Sequence, residues 1–155
     1  MKNIWYLDFP IGKIGIAEDD GAISHILFEN EQKLEDYELA ETALIQKAAR
    51  QLNEYFAGKR MVFDLPVRLD GTHFQKSVWE ALQTIPAGKV RSYKDIAVMI
   101  GNPKATRAVG MANNRNPIPI IVPCHRVIGA NGSLTGYAGG LAIKQYLLDL
   151  EKQPV

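Results

Sequence analysis

Three prolines precede the only cysteine of the chain within seven residues: Pro117, Pro119 and Pro123 lead to Cys124. Proline fixes its own φ angle and pushes the preceding residue towards extended backbone, so this spacing predicts a rigid, extended approach to Cys124. A single cysteine excludes an internal disulfide and a multi-cysteine metal site. The fold must therefore rest on a hydrophobic core, which 155 residues with 46% hydrophobic content are able to supply.

The first 70 residues have the pattern of a small sheet followed by a helix, and no motif among them carries chemistry. Their apolar spacing predicts three strands and then one helix, over residues 4–9, 12–18, 22–28 and 42–57. Residues 19–21 supply a turn in which Gly21 can take a positive φ angle. The acidic stretch 29–41 is expected to be a loop, and 61–67 is a further candidate strand.

Helix-start signals follow from residue 71 onward. Thr72 and Gln75 fit a capping box, in which the hydroxyl and the amide exchange hydrogen bonds with unpaired backbone N–H groups. Ser92 and Asp95 fit a second capping box, which opens a short helix that Gly101 ends.

A further helix is expected to start just after this glycine, with Asn102 as its N-cap and Pro103 at its first position. It would extend to about residue 113, and two short helices joined by such a turn make a helix-turn-helix. Cationic and small residues dominate this part of the chain, namely Lys104, Ala105, Arg107, Ala108, Gly110 and Arg115. Small side chains let a helix approach a DNA groove closely, but they also permit tight helix–helix packing.

The formal net charge of +1 hides an unequal distribution between the two halves. Residues 1–70 hold 8 Lys and Arg against 13 Asp and Glu, whereas residues 71–155 hold 10 against 4. Such asymmetry indicates nucleic-acid contact, or else two solvated faces of opposite sign that attract each other. We expect no membrane span, because no apolar run is long enough, and the N-terminus lacks a signal peptide, so the cytoplasm is the expected location.

The adjacent pair Cys124–His125 is the candidate for chemistry. A lone cysteine is most often an inert buried side chain with a raised thiol pKa, but a neighbouring base can generate the reactive thiolate. Neighbouring side chains on extended backbone point to opposite faces, so direct contact between the two does not follow from their adjacency. A third group should orient the imidazole, and the basic half offers four acids that spacing does not separate: Glu80, Asp95, Asp149 and Glu151.

The motif Pro123-Cys124-His125-Arg126-Val127, together with residues 116–119 and the stretch Arg107-Ala108-Val109-Gly110, resembles the O6-alkylguanine-DNA alkyltransferases. The resemblance extends from about residue 74 to residue 151. It implies an α+β fold, with a small N-terminal sheet-and-helix domain over 1–70. A mainly helical DNA-binding domain with a helix-turn-helix would follow over 71–155 and would also carry the alkyltransferase site.

The resemblance also implies an activity, direct repair of DNA by a single-turnover methyltransferase that is consumed in the reaction. Cys124 would accept a methyl or small alkyl group from O6 of guanine, with His125 as the base acting through a water and Glu151 as the orienting acid. Tyr93 would donate a proton to guanine N3. The remaining pocket residues implied are Asn116, which ties the active-site loop, Pro119 and Tyr137 as walls, the carbonyl of Val127, the N–H of Ala138, and Gly139.

The implied partner is double-stranded DNA that carries O6-alkylguanine, held through its minor groove with the damaged nucleotide turned out of the stack. Arg107 would insert where the base was, and Lys104, Ala105, Ala108, Gly110 and Arg115 would contact the groove. No cofactor and no metal are implied, and a monomer is the default. The chain has no N-terminal cysteine for the zinc site of some members, Ala138 replaces a frequent serine, and Met111 is large for its position.

Three other functions are compatible with parts of this pattern. A lesion-binding protein without transfer would lack the acceptor cysteine, which is present here as Cys124. A thiol hydrolase using Cys124, His125 and Glu151 would turn over and would not need the basic helix-turn-helix. A transcription regulator would read bases in the major groove with polar side chains, which the small-sided helix does not offer.

Overall fold

The computed structural model describes residues 1–152 and begins with an antiparallel meander. Strands β1 (Lys2–Phe9), β2 (Gly12–Asp19) and β3 (Ala22–Phe28) pair in sequence, and a short β4 (Glu38–Leu39) adds to β1 in parallel, which gives the order β3-β2-β1-β4. Asp20 and Gly21 both take positive φ angles, as the tight turn between β2 and β3 requires. The three predicted strands and this turn are confirmed, and β4 interrupts the expected loop.

Helix α1 (Ala43–Phe56) packs its apolar face against this sheet, as predicted. The Thr42 hydroxyl caps the helix by accepting the N–H of Ile45, and Ile45 and Leu52 are fully buried.

Residues 61–67 do not form the predicted strand. The side chain of Gln51 donates to the carbonyl of Asp64 at 3.0 Å and accepts the N–H of Asp64 at 2.9 Å. A side chain of α1 therefore satisfies the backbone groups that a neighbouring strand would otherwise pair. The end of this segment reaches the sheet: the Pro66 carbonyl accepts the N–H of Ile23 at 2.8 Å, and Val67 forms an isolated bridge to Ile23.

The second half contains α2 (His73–Leu82), β5 (Arg91–Ser92), α3 (Tyr93–Met99), α4 (Thr106–Asn114), β6 (Val127–Ile128) and α5 (Leu141–Lys152). Both capping boxes are formed, at the start of α2 and of α3. Helices α3 and α4 pack against each other across the turn at Gly101, which takes a positive φ angle of 79°. The described residues thus combine a small sheet with five α-helices, and the α+β fold class is confirmed.

The start of α4 differs from the prediction. Asn102 and Pro103 lie in a turn before the helix, closed by a hydrogen bond from the N–H of Ala105 to the carbonyl of Asn102 at 3.0 Å. The helix begins at Thr106, so Lys104 and Ala105 precede it. Asparagine followed by proline suits the first two positions of a type I turn as well as a helix start, and here the turn is formed.

One hydrophobic core extends through both halves of the chain. It includes Ile16 and Ile26 of the sheet together with Trp79 of α2 and Leu147 of α5. A backbone hydrogen bond from Ile26 to the carbonyl of Pro117 joins the sheet to the second half at 2.9 Å. The division at residue 70 stays a prediction, and residues 153–155 of the predicted second domain lie outside the described residues. No helix within residues 1–152 is long and apolar enough to cross a membrane.

Candidate active site

The backbone before Cys124 is a tight loop, and the expectation of an extended approach is wrong. Val122 donates its N–H to the carbonyl of Ile118 at 2.9 Å, and Ile120 takes a positive φ angle of 74°, which is rare for a β-branched residue. The loop closes around Asn116, whose Nδ2 donates to the Val122 carbonyl at 2.7 Å. Its Oδ1 accepts the N–H of Ile118 at 2.9 Å. The three prolines therefore lie in a loop whose shape is fixed by the hydrogen bonds of the Asn116 side-chain amide.

Cys124 begins a single 3₁₀ turn, Cys124–Arg126, and its side chain is buried at 5% exposure. Burial raises the pKa of the thiol to about 11, while a hydrogen bond from Asn116 and the charge of Lys144 oppose that shift. The thiol is therefore neutral at rest and needs a base before it can act as a nucleophile.

His125 is fully buried and is oriented by Glu151. The imidazole Nε2 lies 2.7 Å from Glu151 Oε2, and α5 supplies that carboxylate from its last turn. The Asp95 carboxylate accepts the backbone N–H of Ser92 at 2.8 Å, and the Asp149 carboxylate accepts the amide of Gln145 at 2.8 Å, so these two acids are engaged elsewhere.

The protonation of this pair follows from its surroundings. Burial alone would raise the pKa of Glu151, but hydrogen bonds from His125 and Arg126 outweigh it and lower the pKa to about 2. An ionised carboxylate only accepts, so His125 must donate from Nε2. The other ring nitrogen, Nδ1, is buried without a partner among the described residues and is left as the acceptor.

Arg126 binds the same carboxylate and carries no separate chemistry. Its Nε donates to Glu151 Oε1 at 2.8 Å and a terminal nitrogen donates to Oε2 at 2.9 Å. The other terminal nitrogen donates to the carbonyl of Ile85 at 2.6 Å. This two-point pair fixes the plane of the carboxylate and thereby the direction from which it holds the imidazole.

Two residues of this network are absent from the sequence-based prediction. Tyr55 of α1 donates its hydroxyl to Glu151 Oε2 at 2.6 Å. Lys144 of α5 donates to the carbonyls of Val127 at 2.7 Å and Thr135 at 3.0 Å, and it is fully buried. A signal existed for Lys144, because it lies with Glu151 on the stripe of α5 that buries Leu147. Charged residues on an apolar helix face indicate buried partners. Tyr55 had no such signal, since a buried tyrosine on α1 resembles any core residue.

The hydroxyl groups of the two predicted pocket tyrosines have different surroundings. Tyr93 shares a hydrogen bond between its hydroxyl and that of Thr135, and its ring faces Gly110. The Tyr137 hydroxyl is buried without a partner among residues 1–152, and its ring packs on Phe28 at 5.6 Å between centroids.

The loop that carries Tyr137 also touches the N-terminal sheet. Asn30 donates its side-chain amide to the carbonyl of Ala138 at 3.4 Å. This contact does not use the N–H of Ala138. A Cβ at Gly139 would lie 3.0 Å from a ring carbon of Phe28.

The family resemblance implies that the backbone carbonyls of Val127 and Cys124 receive the 2-amino group of guanine, and both carbonyls already hold donors. Val127 receives the Lys144 ammonium at 2.7 Å, whereas Cys124 receives the amide of Asn113 at 3.3 Å and the backbone N–H of Val127. A carbonyl oxygen has two lone pairs, so the Cys124 carbonyl has to share or give up one of these bonds to receive guanine. Pro119 is buried in the same loop.

Four of the six predicted DNA-contact residues are exposed on α4, at its C-cap or in the turn before it, whereas Ala105 and Gly110 are half-buried. Lys104, Arg107, Ala108 and Arg115 are exposed, and so is Met111 at 57%. Ala112 is buried, and its carbonyl accepts the Trp79 indole N–H at 2.9 Å. Helix packing thus explains why a small residue occupies position 112, but it does not explain the small side chain at the exposed Ala108.

These features define a class of protein in which a cysteine with its own buried imidazole–carboxylate pair lies beside a helix-turn-helix. The profile described as 6-O-methylguanine DNA methyltransferase, DNA binding domain, matches residues 73–153, and that of the ribonuclease-like domain of the same methyltransferase matches residues 4–69. The chain therefore belongs to the 6-O-methylguanine DNA methyltransferase family, as the motif around Cys124 suggested.

Individual relatives match over nearly their whole length. The methylated-DNA–protein-cysteine methyltransferase of Methanosarcina acetivorans is 55% identical over 145 residues, 92% of this chain and 93% of the relative. The constitutive methyltransferase of that name from Bacillus subtilis is 49% identical over 150 residues, 92% of this chain and 91% of its own. The crystal structure of Mycobacterium tuberculosis OGT in complex with DNA is similar at a TM-score of 0.92 and 47% identity, covering 97% and 92% of the two chains.

Proposed function

We propose that the protein repairs DNA by moving a methyl or small alkyl group from O6 of guanine onto Cys124. The observation that carries this function is the buried His125 next in sequence to the buried Cys124, in a member of this family. Its Nε2 is anchored 2.7 Å from Glu151, and its Nδ1 has no partner among residues 1–152. This arrangement provides a nucleophile, a neutral base and an orienting acid, which is the set that nucleophilic displacement needs.

The transfer is a direct displacement. Burial raises the pKa of the thiol and lowers that of His125, so both groups are neutral at rest. As sulfur bonds to the alkyl carbon, the thiol proton passes through a bridging water to His125 Nδ1. The bond from carbon to O6 breaks, and guanine would leave as an anion. Tyr93 delivers a proton to guanine N3, and the N–H of Ala138 donates to O6, so the base departs without full negative charge.

The product explains why the reaction stops after one turnover. A thioether at Cys124 has no leaving tendency towards water, and His125 has no acidic thiol left to deprotonate. Each protein molecule is therefore consumed by one lesion. A thiol hydrolase would instead form an ester-like intermediate and release it.

DNA binding is assigned to the exposed side of α4. Arg107 and Arg115 supply charge towards phosphates and the vacated base position, and the exposed Ala108 lets the backbone approach the minor groove. The target nucleotide must leave the duplex because the thiol is buried, which costs a few kcal/mol. We propose that the protein binds as a monomer. A DNA substrate also agrees with the cytoplasmic location expected from the sequence.

Intact-mass spectrometry after mixing the protein with a duplex that carries one O6-methylguanine tests this function. We expect one added methyl group per protein, mapped to Cys124, with an equal amount of restored guanine. Cys124→Ala should bind the lesion duplex and gain no mass, and an undamaged duplex is the matched substrate control. Tight binding without any mass change would make this a lesion-recognition protein, and more restored guanine than protein would contradict single turnover.

A further inference from the structure

The Glu151 carboxylate receives more hydrogen bonds than are needed to orient one imidazole. Oε2 accepts from His125, from Tyr55 at 2.6 Å and from Arg126 at 2.9 Å, while Oε1 accepts a second bond from Arg126. The side chains of His125 and Glu151 are fully buried. Tyr55 comes from α1, in the half of the chain that carries no other residue of this network, 96 positions before Glu151.

A carboxylate with no other donors would favour a protonated imidazole beside it. An imidazolium cannot accept the thiol proton, so a bare Glu151 would orient His125 and at the same time disable it as a base. Donors that share the negative charge of Glu151 weaken this effect. Other groups also face the pair: Arg126 comes from the turn of His125, Lys144 from α5, and Tyr137 from the loop before α5. Arg126 and Lys144 disfavour a second positive charge at His125.

We propose that Tyr55 is a positioning residue of the transfer reaction, whose hydroxyl holds Glu151 Oε2 in place and draws off enough of its charge for His125 to stay a neutral base. This inference rests on the proposed function and assigns Tyr55 a role through Glu151, with no contact to the DNA. The direction of the hydrogen bond is unambiguous because an ionised carboxylate has no proton to give. Burial, and after it the charge of Glu151, also raise the pKa of the Tyr55 phenol, which keeps it a donor.

The hydroxyl can be separated from the packing of the ring. The Tyr55 ring lies 5.4 Å from that of Phe56 and 5.5 Å from that of Phe63, between centroids, and both contacts remain in Tyr55→Phe. Tyr146 offers a matched control, because it lies on α5 near Phe56 and is 40% exposed. Tyr146→Phe removes a phenol oxygen from the same neighbourhood without removing a donor from Glu151.

The test is single-turnover transfer from the lesion duplex, measured at saturating protein from about pH 5 to about pH 9. For Tyr55→Phe we expect the acidic limb of the rate profile to move about 0.5–1 pH unit higher. At pH values below the midpoint of that limb the rate should then fall roughly three- to tenfold, with a smaller loss at high pH. Affinity for the duplex should stay within about twofold, and Tyr146→Phe should match the unmodified protein.

Two further measurements separate this role from simple stabilisation. Adding Tyr55→Phe to Glu151→Gln should change the rate no further, because the hydroxyl acts through the carboxylate. In the unmodified protein, nitrogen NMR should show His125 neutral with its proton on Nε2 near pH 7.

An unchanged pH profile, or an equal loss of rate at every pH, would overturn the proposal, and so would a charged imidazole near pH 7. An unmodified protein that transfers no alkyl group would instead remove the proposed function on which this role depends.

Discussion

Replacing Glu151 by glutamine tests the electrostatics of the site through protein stability. The variant leaves the Arg126 guanidinium buried at 6% exposure without the carboxylate that it pairs with. Stranding a buried charge in this way typically costs about 3–5 kcal/mol. We expect a loss of that size in the free energy of unfolding near pH 7, measured by urea denaturation and followed through the fluorescence of buried Trp79.

The dependence of this loss on pH is the sharper part of the prediction. Hydrogen bonds hold the pKa of Glu151 at about 2 in the folded protein, despite burial, against an ordinary value of 4.5. A carboxyl whose folded pKa is lowered stabilises the protein above its unfolded pKa, and this stabilisation is lost as the pH falls towards the folded pKa. At 1.36 kcal/mol per pKa unit, the full contribution is about 3 kcal/mol, of which about 2 kcal/mol should vanish between about pH 6 and pH 3.

The difference in stability between the unmodified protein and Glu151→Gln should therefore shrink by about 2 kcal/mol over that range. Asp149→Asn is the control, because it removes an exposed carboxylate from the same helix and should stay within about 0.5 kcal/mol of the unmodified protein throughout. Parallel stability curves for the unmodified protein and Glu151→Gln would refute the ion-pair reasoning.

Three other outcomes are expected. Arg115→Ala should weaken duplex binding and lower the slope of log affinity against log salt by about 0.9, while Arg50→Ala on α1 should change neither, as filter binding over a salt series would show. Gly139→Ala places a Cβ 3.0 Å from Phe28 and should slow alkyl transfer by displacing the pocket loop, with Phe28→Leu in the same chain restoring part of the rate. Thr72→Ala should cost about 1 kcal/mol in urea denaturation through loss of the α2 cap; an unchanged midpoint would mean that the cap is dispensable.

Local signals predicted most of the fold because they act over a few residues. The capping boxes at Thr72 and Ser92 form as predicted, since each needs only a residue three positions further on. The predicted start of α4 was wrong because Asn102-Pro103 fits a helix start and a type I turn equally well. The prediction of a strand over residues 61–67 was wrong for a different reason. Their apolar pattern suits a strand, but the Gln51 side chain forms the hydrogen bonds of the Asp64 backbone.

The site was predictable only in part, because local signals do not identify partners that are distant in sequence. Cys124 and His125 are neighbours in sequence and were therefore the candidate pair, although adjacency did not show how they contact each other. Spacing alone left four acids open, and only the family resemblance selected Glu151. Tyr55 was missed because its partner comes from tertiary packing over 96 positions. The extended approach to Cys124 was wrong since proline restricts φ but does not decide where the chain turns, which here depends on the Asn116 side chain.

The order in which the network's members occur along the chain has a consequence for biosynthesis. During translation Tyr55 emerges first, then the turn that carries Cys124, and the carboxylate of Glu151 arrives only with α5, the last described helix. A nascent chain that already displays Cys124 therefore lacks the anchored imidazole, and assembly of the complete site waits until the C-terminal helix has docked.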